Sequence, residues 1–206
     1  MVITLLVFVH LIATCTAIGT LVLTDLRLIA RATGYRVVIP PPERLETRIV
    51  AAALLVLYFS GAALIALGMR ENSDYIANPK LQAKLLLVVM LTLNAFILHR
   101  YVFPILGRSL RVSAWSNREW FTVVTSVSLS NSLWFYCAFL GVARHWSGTV
   151  PLEFVLLVGL MIWAVVFCLA NGLLALASRD NPRKKRPDWL DSIKARLRNL
   201  FQLRDR

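Results

Sequence analysis

The sequence predicts an all-α integral membrane protein: a bundle of five transmembrane helices followed by a C-terminal amphipathic helix lying at the membrane interface. The composition is the first reason. Of 206 residues 58% are hydrophobic and the mean hydropathy is +0.65, against roughly 45–50% apolar in soluble domains. The second is that the apolar residues fall into five runs, each long enough for a ~30 Å hydrocarbon core. The third is that the formal charge of +12 sits between and after those runs. A nucleic-acid binder would show a basic face on a soluble fold, so nucleic acid is excluded as a partner and the bilayer is the partner the charges fit.

The spans are expected at about 2–24, 48–68, 83–107, 121–143 and 152–177, within a transmembrane domain of residues 1–178. Met1 to Thr24 carries neither a basic leader nor a small-residue cleavage site and is read as a retained first span. From Asp25 to Glu46 the chain is polar and contains Pro40-Pro41-Pro42, so a loop with at most a short helical start is expected. The second span carries Ser60-Gly61-Ala62-Ala63, small residues that let helix backbones approach, and is expected to be a packed inner helix. Asn78-Pro79-Lys80 closes a short connection into the third span, and Arg108 to Trp120 forms a second basic loop. The fourth span holds Thr122, Thr125, Ser126, Ser128, Ser130, Asn131 and Ser132, either as interhelical glue or as the lining of a polar cavity. His145 lies in the turn before the fifth span, which holds Glu153 and Asn171. Cys15, Cys137 and Cys168 all lie within apolar runs without paired spacing and read as packing residues.

Residues 179–206 read as a basic cytoplasmic tail. Arg183-Lys184-Lys185-Arg186 precede Asp188, a helix cap, and Trp189, Leu190, Ile193, Leu197, Leu200 and Phe201 recur at helical spacing opposite Lys194, Arg196 and Arg198. Such a helix lies on anionic lipid headgroups, with docking on a soluble partner as its rival. Orientation follows from charge. Arg27, Arg31, Arg36, Arg44 and Arg48, then Arg108, Arg111 and Arg118, then the ten basic residues of the tail fall on one side, against Arg70, Lys80, Lys84 and Arg144 on the other. The N-terminus is therefore expected outside and the C-terminus in the cytoplasm, in a cell inner (plasma) membrane. No internal repeat is visible, which argues against an inverted-repeat transporter.

Ionisable groups at membrane depth cost about 2.5–3.5 kcal/mol each on insertion scales, so they need partners or a function. The third span carries Lys84 at its outer end, Asn94 about 15 Å deep and His99 about 24 Å deep, while His10 lies about 12 Å below the outer end of the first span. His10 is thus level with Asn94, and His99 belongs nearer the inner surface. Helical phase puts Lys84, Thr92 and His99 on one face and turns Asn94 away. His10, Lys84, Asn94 and His99 are the candidate cofactor-binding residues, with His10 the candidate metal ligand. The plainer reading, with His10 hydrogen-bonded across helices and Lys84 and Arg100 extended toward the two surfaces, stands beside it.

A histidine early in the first span, then RIVAAALLVLYFSGAALIALG and QAKLLLVVMLTLNAFILHR, resembles small bacterial membrane proteins around the HemJ-type protoporphyrinogen oxidase and the CopD-like copper-resistance proteins, and related uncharacterised families. The likeness covers residues 5 to 105. In the HemJ type a first-span histidine and a lysine opening the third span are the important pair, which correspond here to His10 and Lys84, and a b-type haem is implied. The chain differs in having Asn94 and a later His99, and in its Ser/Thr-rich fourth span and its fifth. Two functions follow as expectations. One is membrane redox chemistry on a haem or metal, with His10 as ligand or proton-handling group. The other is a non-catalytic accessory or assembly subunit of a larger membrane complex, supported by the absence of a nucleophile–base set and by the amphipathic tail.

Overall fold

The computed structural model describes residues 1–32, 39, 41–108 and 112–178. Every element within them is helical, and five helices are long and apolar enough to cross a membrane. The expected tail helix lies outside the described residues.

The helices start earlier or run longer than their apolar stretches, and each extension has a local cause. Helix α1 spans Val2–Ala32 rather than stopping near Thr24, because nothing after Gly19 breaks it and Leu, Arg and Ala favour continuation. Its threonines at 14, 16, 20 and 24 return their hydroxyls to the carbonyl four residues back, at 2.8–2.9 Å, which keeps them satisfied in apolar surroundings. Helix α2 covers Arg44–Glu71. Glu43 is extended and precedes the first helical residue, and its backbone N–H donates to the Glu46 carboxylate at 2.9 Å, a reciprocal cap at the helix start.

A 3₁₀ turn at Ser73–Ala77 leads to α3, Pro79–Ile97. Asn78 caps α3 by accepting from the Lys80 N–H at 3.0 Å, and Pro79 occupies the first helical position, where its missing N–H costs nothing. The third span then loosens into a π turn, Leu98–Val102, before α4 at Phe103–Gly107. Pro104 explains the break: it has no N–H for the carbonyl of Arg100, so the ladder shifts by one residue there. Helix α5, Asn117–Val142, begins before the expected fourth span because Ser116 and Glu119 form a capping box, and Glu119 also pairs with Arg108. Helix α6 is Leu152–Ser178.

The main packed pairs are α1 with α2, α3 with α5, and α5 with α6. Helix α5 is the inner one: 56% of its apolar window is buried, against 22% for the third span and 6–11% for the others. Ser126, Ser128, Ser130 and Ser132 are all buried, small side chains that admit neighbours on every side. In α2 only Ala53 and Ser60 are buried. The second span is therefore peripheral, packed chiefly on α1 with Tyr58 bonding Thr92 of α3, and the inner position falls to the fourth.

Candidate functional site

His10 faces α2, and its geometry fixes its protonation pattern. Ser60 Oγ lies 2.6 Å from the carbonyl of Val56 and 2.8 Å from His10 Nδ1. A hydroxyl has one proton, and a carbonyl can only accept. Ser60 donates to Val56 and therefore accepts from Nδ1–H of His10, so that in the neutral imidazole Nε2 is the acceptor or ligand atom. Gly61 follows on the same face, where a Cβ would stand 3.7 Å from His10 Cε1, so the ring lies close against the α2 backbone.

Lys84 belongs to the same region. Its ammonium is within electrostatic reach of His10 and of the Cys137 thiol, and it passes α5 at Gly141, where a Cβ would stand 3.8 Å from Nζ. One turn earlier Lys80 Nζ donates to the Ala143 carbonyl at 3.0 Å, placing a cation on the negative end of α5. Lys84 Nζ makes no such bond with the described residues. A half-buried ammonium within electrostatic reach of an imidazole can counter an anionic group on a molecule that the imidazole holds.

The other two sequence candidates lie elsewhere. Asn94 is buried and donates to the carbonyl of Ser126 at 2.9 Å, tying α3 to α5. His99 lies in the π turn. Its Nδ1 donates to the Ala95 carbonyl at 2.9 Å, and its ring meets Phe103 edge-on at 4.8 Å. It lines a cavity of about 610 Å³ that has residues of α1, α2, α3, α5 and α6 in its wall. His10, Lys84 and Asn94 are not among the residues lining it. Lys84 thus lies within electrostatic reach of His10, while Asn94 and His99 are committed to the carbonyls of Ser126 and Ala95.

Sequence reasoning missed Ser60 as the partner of His10, having read it only as a small packing residue. It also missed Asp25, taken as the start of a loop, which lines the cavity beside the Asn131 carboxamide. The signal for Asp25 was present, since an unbroken helix-forming run continues through it to Ala32. Among the described residues no three His, Cys, Asp or Glu side chains gather as a metal site would require. No family model matches the chain, and no curated protein and no solved structure matches it either.

Proposed function

We propose that this chain is a multi-pass inner-membrane protein, N-terminus outside and C-terminus cytoplasmic, that binds a redox cofactor in its outer half through His10 and Lys84. The observation that carries the reading is the imidazole of His10, oriented by the Ser60–Val56 hydrogen bonds and within electrostatic reach of the Lys84 ammonium. One imidazole and one cation suit a cofactor that brings most of its own ligands, whereas a bare ion needs three or four protein donors. A b-type haem, the group the HemJ-type resemblance implies, fits that donor set: His10 would hold the iron and Lys84 would counter a propionate. Bound there, it supplies one-electron transfer. His99 contributes nothing to that site.

The test is the absorption spectrum of the gently solubilised full chain. A Soret band is expected in the wild type and is lost in His10→Ala. Lys84→Met keeps the band and lowers the midpoint potential, because removing a nearby cation stabilises the more positive, oxidised cofactor. A colourless wild-type protein with no metal by elemental analysis would overturn the proposal.

A further inference from the structure

The cavity near His99 is a concave site distinct from the His10 region, and neither His10 nor Lys84 lines it. Its volume of about 610 Å³ falls in the range of roughly 300–1,000 Å³ typical of small-molecule pockets. The wall is mostly apolar, with Leu54, Leu91, Val102 and Val124 among its members. Side chains around a void forfeit the contacts a packed interior would give them, and an apolar occupant restores them.

Hydrogen-bond accounting gives the chemistry of the occupant's head. The hydroxyls of Thr20, Thr24, Thr47 and Ser132 are committed to carbonyls of their own helices. The Glu46 carboxylate is committed to Arg27 and to the Glu43 N–H. The Ser130 hydroxyl and the Trp134 indole N–H line it as donors, and two acceptors remain beside one another. The Asp25 carboxylate sits beside the Asn131 carboxamide, and Oδ1 of Asn131 is buried without a hydrogen-bond partner. Among the described residues the cavity is lined by two acids, Asp25 and Glu46, and by no lysine or arginine. A buried acceptor without a donor costs about 1–3 kcal/mol, and a donor brought by a ligand recovers it.

We propose that this cavity binds a membrane-soluble amphiphile with a cationic amine head. The head donates N–H bonds to the Asp25 carboxylate and to Oδ1 of Asn131, and the apolar body fills the remaining space. An anionic head would meet Asp25 with like charge.

The experiment is equilibrium binding of radiolabelled dodecylamine to the full chain in nanodiscs of zwitterionic phosphatidylcholine, with empty discs subtracted and with dodecanol and dodecanoate as chain-matched controls. The protein's +12 net charge attracts dodecanoate non-specifically, so a preference for the amine runs against the background. Saturable binding of one dodecylamine per chain is expected, with dodecanol and dodecanoate at least tenfold weaker. Asp25→Asn, nearly isosteric, should weaken dodecylamine about tenfold or more, as loss of a charged hydrogen bond does. Ala95→Trp, which fills the cavity, should abolish saturable binding; if that variant is not monodisperse, Leu54→Trp replaces it. His10→Ala should leave the isotherm unchanged, which separates this site from the cofactor site. Non-saturable uptake, equal affinity for dodecanol or dodecanoate, or an unchanged isotherm in Asp25→Asn would overturn the proposal.

Discussion

Ser60 has one proton to give, and by giving it to Val56 it holds the imidazole of His10 in a single tautomer. Removing that hydroxyl leaves the ring in place but frees both nitrogens to compete for the proton. Orienting partners of this kind are worth roughly 10–100-fold in ligand affinity. Ser60→Ala is therefore expected to retain a Soret band but to lose cofactor 10–100-fold more readily in a competition titration with apomyoglobin, whereas His10→Ala removes the band altogether. His10 and Lys84 were legible in the sequence because ionisable residues stand out in an apolar run. Ser60 was not, because a serine in such a run has the same appearance whether it packs, bonds its own helix or serves a neighbour. Asn131 was legible only as a polar residue, since its orphaned oxygen depends on what α1 brings beside it.

At the scale of elements, the seam between α5 and α6 rests on close approach. Tyr136 is buried and donates to the Val155 carbonyl at 2.5 Å, so its ring is anchored. A Cβ on Gly159 would stand 2.9 Å from that ring. Gly159→Ala should destabilise by about 1–3 kcal/mol, as overpacking of a fixed interior does. Gly172, in the same helix, has nothing within 4 Å of its position, and Gly172→Ala should be stabilising by about 0.5–1 kcal/mol through helix propensity alone. Thermal unfolding of the two variants in one detergent gives the comparison; equal melting temperatures would contradict the account. The number and order of the spans could be read from hydropathy, because the apolar runs are long. The starts of the first and fifth could be read too, but those of the middle three could not, since the caps at Glu43, Asn78 and Ser116 are polar residues that a hydropathy window assigns to loops.

For the molecule as a whole, the two proposed sites carry opposite charge: Lys84 offers a cation in one half of the bundle, Asp25 an anion in the cavity of the other. Which helix would lie inside was the part of the architecture least visible in the sequence. The small-residue stretch of α2 suggested an inner position, yet that helix packs chiefly on α1. The polar run of α5 was the better signal, because serines tolerate burial only among other helices. The least apolar of the five spans is thus also the most sheltered, with mean hydropathy 1.4 in α5 against 2.6 in α6. That inversion bears on biogenesis. A segment of α5's character partitions poorly into lipid alone and must wait at the translocon for a neighbour. With glycosylation acceptors placed beyond each span, a chain ended just after Val142 should give a mixture of inserted and uninserted α5, and extension through Ser178 should drive insertion to completion.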